Sequence, residues 1–181
     1  MTERPILFSG PMVVAILEGR KTQTRRVIDP QPDCAESSVG CIGRSLPSVL
    51  AMRGGFFFIR CRYGKPGDHL WVRETWHPQK SHKGPVSYRA TWKDENPDEG
   101  WKPSIFMPRW ASRITLEIVS VRVQRLHDIT ESDARAEGVE GLCHPTFSLR
   151  ESYIVLWDMI NKQKHPWKSN PFVWKIEFRR I

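Results

Sequence analysis

The chain has 181 residues, 39% of them hydrophobic and 27% charged, a globular rather than a disordered composition that suits one well-cored domain. Its formal net charge of +8 raises the encounter rate with polyanions, of which nucleic acid is the commonest in cytoplasm. No apolar run approaches the roughly 18–20 residues of a membrane span, and MTERPILFSG lacks an apolar signal core, so a cytoplasmic protein with no membrane role is expected.

In chain order, PILFSG (5–10) reads as a short strand ending in a turn. PMVVAILEG follows as a helix: Pro11 suits a first helical turn, Val13, Ile16 and Leu17 share one face, and Gly19 is a left-handed stop. TQTRRVI reads as a strand with Thr22, Thr24 and Arg26 on one face and Lys21, Gln23 and Arg25 on the other. Periodicity is then lost over 29–55, the composition of a long loop. FFFIRCR (56–62) resumes as a strand, and a Pro-Gly turn feeds another that holds Leu70, Val72, Glu74 and Trp76 on one side. A carboxylate on that apolar face is costly unless paired, and an arginine is the expected partner of Glu74.

VSYRATW (86–92) reads as a strand, and KDENPDEGWKPSIFMPRWA as a second polar loop. SRITLEIVSVRVQRL carries the longest strand signal. Its alternation slips phase between Ile118 and Val119, which predicts a bulge or sharp bend there. Thr130 three residues before Asp133 and Gly138 beyond predict a short helix over 131–137. Ser148 and Glu151 open a second, whose stripe of Leu149, Tyr153, Leu156, Trp157 and Ile160 is most simply core. FVWKIEF alternates as a last strand that completes a sheet or barrel, with Phe172, Trp174, Ile176 and Phe178 on one face. The order predicts an α+β fold, a small curved β-barrel with flanking helices, and excludes an alternating parallel βα series.

The four cysteines, Cys34, Cys41, Cys61 and Cys143, form no CxxC pair and read as free thiols. Cys34 with Cys41, and Cys143 beside His144, are the nearest to metal-ligand spacing, and neither provides a paired set, so no metal and no cofactor are expected. His77 and His82 lie in polar sequence and read as solvated. Eight tryptophans provide flat faces on which bases stack, although most tryptophans fill cores.

The densest chemistry is LEGRKTQTRR (17–26), with Arg20, Lys21, Arg25 and Arg26 in one stretch. Together with GKPGDHLWVRE, ITESDARAEGV and the closing VWKIEFRRI, it resembles the ASCH family, a branch of the PUA-like superfamily. Gly19, Lys21, Thr24 and Arg26 match that family's G-x-K-x-x-(E or T)-x-R signature position for position. The resemblance covers about 4–28, 56–76, 112–139 and the last ten residues. It implies a single PUA-like barrel domain over 1–181 with insertions at about 29–55 and 77–110. In length the chain is similar to the larger members found in phages and prophages.

The resemblance implies association with RNA or modified nucleosides. One group of small bacterial members hydrolyses the amide of N4-acylated cytidine with a lysine, a threonine and a glutamate. Lys21 and Thr24 match the first two, and Glu137 falls where the third is expected. As an enzyme, a desolvated Lys21 among cations such as Arg20 and Arg26 serves as base for Thr24, and Glu137 holds the leaving amine or orients the base ring. As a binding module, Lys21, Arg25 and Arg26 grip phosphates with Arg20 beside them, Trp71 and Trp76 stack bases, and Glu74 belongs to the same surface. Trp92 and Trp110 are further platforms. Binding of RNA or nucleotide is the first reading and the amidohydrolase its alternative; a ribonuclease is a second alternative, weakened by the lack of a paired-histidine arrangement. The bland alternative makes the cations surface charge and the threonines ordinary strand residues. A monomer is the expected state.

Overall fold

The computed structural model describes residues 1–32, 48–51, 57–78, 86–93, 100–142 and 146–181. Cys34, Cys41, His82, Cys143, His144 and much of the two expected insertions lie outside the described residues. Along the chain come β1 (Glu3–Leu7), α1 (Gly10–Leu17), β2 (Gln23–Val27), β3 (Ser48–Ala51), β4 (Phe57–Arg60), β5 (His69–Arg73) and β6 (Trp76–Pro78). They are followed by β7 (Val86–Tyr88), β8 (Thr115–Arg125), α2 (Glu131–Ala136), α3 (Leu149–Asn161) and β9 (Phe172–Arg180). The α+β class therefore holds. Both expected loops contain structure: β3 lies in the first and pairs with β4, and 3-10 turns at Ser104–Phe106 and Arg109–Ala111 lie in the second. The strand expected over 86–92 is present as β7, paired with β6, and gives way to a 3-10 turn at Arg89–Thr91.

Five strands form the main sheet in the order β1-β5-β8-β9-β2, with β1 parallel to β5 and the other pairs antiparallel. No ladder joins the edge strands β1 and β2 among the described residues, so the expected barrel is an open sheet. One side chain crosses that seam: Arg26 Nη2 donates to the Leu7 carbonyl at 2.6 Å. The predicted bulge is present as a register shift between Ile118 and Ser120 of β8. An extra residue there turns Val119 outward, 52% exposed, and keeps both Ile118 and Val121 buried.

β9 does not close an edge. It lies between β8 and β2, and both of its faces are covered. Trp174 and Ile176 join a core with Ile6, Val13, Ile16 and Leu116, while Val173 packs on the other side with Leu126, Ala134 and Trp157. The alternation in FVWKIEF therefore separates two buried environments rather than core from solvent.

The helix boundaries follow local chemistry. α1 carries Pro11 in its first turn and ends ahead of Gly19, whose φ of +76° costs a side-chain-bearing residue strain. Both later helices begin with reciprocal capping boxes, Thr130 with Asp133 and Ser148 with Glu151. The Glu131 carboxylate also accepts the Leu149 and Arg150 amides, so α2 holds the first turn of α3. Among the described residues no helix is long and apolar enough to cross a membrane.

Candidate functional site

The site begins where α1 turns into β2. The Lys21 amide donates to the Ala15 carbonyl at 3.0 Å, and the next amide, Thr22, donates to Ala136 at 2.9 Å. One residue is thus tied to α1 and its neighbour to the end of α2. Gly138 permits that approach: its φ is +76°, and a Cβ there would come within 2.9 Å of the Ala15 and Lys21 Cβ atoms. Only glycine meets both conditions without displacement.

This packing buries a charge network. Lys21 Nζ donates to the Glu137 backbone carbonyl at 2.7 Å and to Glu137 Oε2 at 3.0 Å. Arg25, whose side chain is fully buried, donates through Nη1 to Glu137 Oε1 at 3.1 Å and through Nη2 to Asp133 Oδ2 at 2.8 Å. Lys175 Nζ takes Asp133 Oδ1 at 2.7 Å, and Gln23 Nε2 takes the Asp133 carbonyl at 2.9 Å. The predicted face of Lys21, Gln23 and Arg25 is therefore the one that meets α2.

Burial pushes the Lys21 ammonium below its usual range, with the Arg26 and Arg25 charges acting in the same direction and Glu137 opposing. Arg20, expected to share in this, does not: its Nε donates to Glu18 at 2.8 Å on the exposed surface. Burial alone would raise Asp133, but the Lys175 hydrogen bond and the Arg25 charge outweigh it and hold the carboxyl at about 2. Burial keeps the Tyr153 phenol far above its usual range and hence neutral, the Glu137 charge adding to the effect.

A cavity of about 760 Å³ opens on one side of the network, walled by Phe8, Lys21, Thr24, Arg26, Glu137 and Tyr153. Thr24 and Tyr153 are each 4% exposed. Neither side chain forms a hydrogen bond among the described residues, and neither hydroxyl is sealed off, so both open onto the cavity. The structure thus brings Lys21, Thr24 and Glu137 together at one wall, with Arg26 beside them over the Phe8 ring at 5.1 Å.

Other expected residues lie elsewhere. Arg25 lines the cavity as well as the network, but both of its terminal nitrogens are held by carboxylates. Glu74 is buried and forked by Arg113 at 2.8 and 2.9 Å, the arginine partner expected for it, and does not line the cavity, although Thr75 beside it does. Trp71 and Trp76 are 8% and 5% exposed and leave no face for a base. Trp110 is exposed, but its ring meets Trp76 edge-on outside the cavity. His77 is buried against Trp101 rather than solvated. Cys61 is buried, and burial lifts its thiol to about 11. Among the described residues no group of three or more His, Cys, Asp or Glu is placed to hold a metal.

Sequence reasoning missed Phe8 and the contribution of α3. Tyr153, Leu156, Trp157 and Ile160, read as core, line the cavity, and Ile160 is 64% exposed. The available signal was the tyrosine itself, whose polar tip needs an outlet from an apolar stripe.

No protein-family model and no curated protein matches this sequence. An ASCH domain from Lactobacillus crispatus is among the solved structures similar to this chain, at 13% identity and a TM-score of 0.48, covering 99% of this chain and 79% of that one. A protein of Enterococcus faecalis described by the DUF984 family model is similar at 11% identity and a TM-score of 0.46, covering 100% and 81%. At that distance neither likeness assigns a function to this chain.

Proposed function

We propose that the protein is an ASCH-type, PUA-like protein that takes a modified nucleoside, free or within RNA, into the cavity beside β2. There it hydrolyses an amide on the base, as on N4-acylated cytidine, without a cofactor. The observation that carries this reading is Lys21: a buried amine with a lowered pKa, anchored on Glu137, sharing a cavity wall with the unpartnered Thr24 hydroxyl. A neutral lysine amine has two N–H groups and one lone pair. Glu137 accepts both N–H groups, at its backbone carbonyl and at Oε2, which leaves the lone pair for a hydroxyl proton.

The chemistry then balances. Thr24 Oγ1 attacks the acyl carbon as Lys21 Nζ takes its proton, and the carbonyl oxygen becomes an oxyanion. The neutral Tyr153 phenol and the Arg26 guanidinium are suited to stabilise that charge. Collapse breaks the C–N bond, Lys21 returns the proton to the leaving amine, and water hydrolyses the acyl-threonine to free carboxylate. Glu137 positions Lys21, and Arg25 holds Glu137 in place from behind.

Purified protein incubated with N4-acetylcytidine is expected to release cytidine and acetate in equal amounts. Lys21→Ala and Thr24→Ala are each expected to reduce turnover at least about a hundredfold with the thermal transition retained. Wild-type protein that deacylates no N4-acylated nucleoside overturns the hydrolytic reading. The net charge of +8 favours RNA binding without chemistry as the second reading. Its signature is affinity for single-stranded RNA that falls steeply with salt.

A further inference from the structure

The cavity lies against strand edges rather than strand faces. Successive side chains of a strand point to opposite faces, so a cavity on one face alone touches every second residue. This one is lined by Thr24, Arg25 and Arg26 in succession on β2, and by Leu7, Phe8 and Ser9 at the end of β1. It therefore occupies the seam between the two edge strands, which Arg26 crosses to reach the Leu7 carbonyl.

The ladders fix which main-chain groups face that seam. The Phe178 amide donates to the Thr22 carbonyl and the Ile28 amide to the Phe172 carbonyl, so the even-numbered residues of β2 exchange hydrogen bonds with β9. Arg25, between two of them, turns its N–H and C=O away from β9, and its N–H has no acceptor among the described residues. On β1, the His69 amide donates to the Thr2 carbonyl and the Phe8 amide to the Arg73 carbonyl, so the even-numbered residues face β5. Pro5 and Leu7 then face the seam. Pro5 has no N–H to offer there, which discourages strand pairing and leaves the edge of β2 open to a ligand.

We infer that the main-chain N–H of Arg25 is an oxyanion donor of this site. The inference rests on the hydrolytic reading above and adds to it a catalytic group that belongs to no side chain. Covalent geometry keeps the Arg25 nitrogen within about 4 Å of the Thr24 hydroxyl. The amide that follows a nucleophile is a recurrent donor in acyl transfer. As Thr24 Oγ1 bonds to the acyl carbon, the carbonyl π pair moves onto oxygen and the Arg25 N–H donates to it. On collapse the pair re-forms the carbonyl, the C–N bond breaks, and the amine leaves with the proton held by Lys21. The donor is preorganised: Thr24 is paired with Ile176 of β9, and the Arg25 side chain is clamped by Glu137 and Asp133. The buried network thereby fixes the strand segment that carries the donor, besides holding Lys21.

Cys34 provides the means of testing this, because a synthetic segment 1–33 can be ligated there to the remainder of the chain. Two ester variants are compared below their unfolding transitions, one with oxygen in place of the Arg25 N–H and one with oxygen in place of the Gln23 N–H. Each loses an N–H turned away from β9 and weakens the ladder carbonyl before it, but Gln23 does not line the cavity. The Arg25 ester is expected to lower kcat for N4-acetylcytidine at least about a hundredfold with KM little changed, and the Gln23 ester to retain wild-type turnover. Equal turnover by the two esters overturns the donor and leaves the hydrolytic reading intact. A second measurement needs no variant. Cytidine N4-methylphosphonamidate, a tetrahedral anion, is expected to move the Arg25 amide proton of the isotope-labelled wild type downfield and to leave that of Gln23 in place. An Arg25 amide unmoved at saturating analogue overturns the donor. A shifted amide on a wild type that hydrolyses no N4-acylated nucleoside supports the donor and overturns the chemistry. A wild type that neither binds the analogue nor hydrolyses any acylated nucleoside overturns both.

Discussion

Lys21 is held as a buried amine between opposing influences, and each has a sign that can be measured. Burial, Arg26 and Arg25 favour the neutral form, whereas Glu137 favours the charged one. If the neutral amine is the base, turnover rises with pH through the lowered Lys21 pKa and levels off above it. Arg26→Gln removes a neighbouring positive charge, so the rising limb is expected to move to higher pH. Glu137→Gln removes the negative one, and the limb is expected to move lower. A pH–rate profile of both variants distinguishes this arrangement from a Lys21 that only packs, for which the limb stays fixed. Residues on the second face answer to packing: Arg25 bridges two acidic side chains, and its removal would leave both buried without a shared counterion.

At the scale of elements, α2 is a short helix that the main sheet holds by charge. Asp133 on α2 is bonded by Arg25 of β2 and Lys175 of β9, while its own helix start is closed by the same carboxylate. Asp133 is held at about 2 in the fold, well below the usual carboxylate range. A depressed acid contributes stability that is fully present above the unfolded value and is lost as pH falls through the folded one. Unfolding free energy is therefore expected to drop by about 2 kcal/mol between pH 5 and pH 1–2 from this group alone. Asp133→Asn lowers stability at neutral pH and flattens that window, as denaturant titrations at stepped pH would register. A helix docked this way sets the position of Glu137, so the acid sensitivity of α2 carries directly to the site.

At the scale of the whole molecule, Glu74 and Glu137, two of the three buried carboxylates among the described residues, serve different ends. Glu74 joins the end of β5 to Arg113 ahead of β8 and is not among the residues that line the cavity. Glu74→Ala is expected to destabilise the protein by about 3 kcal/mol. Below its unfolding transition the variant is expected to retain wild-type affinity for N4-acetylcytidine, and a matching loss of affinity would place Glu74 in the site after all. Much of the architecture was legible in the residues because its causes are local. Capping boxes at Thr130 and Ser148, the stop at Gly19 and the phase slip at Ile118 depend on neighbours a few residues away. The resemblance in LEGRKTQTRR and ITESDARAEGV paired Lys21 with Glu137 across 116 residues, but not the means of their meeting. Tertiary structure alone decided that β9 is an interior strand, that the sheet stays open, and that Tyr153 faces a cavity. It also decided which cations are neutralised: Arg25 and Arg20 are paired with carboxylates, whereas Arg26 has no ion pair among the described residues and bonds the Leu7 carbonyl. Sterics and capping act along the chain over a few residues, whereas burial and charge neutralisation depend on which distant segments the fold brings within a few ångströms.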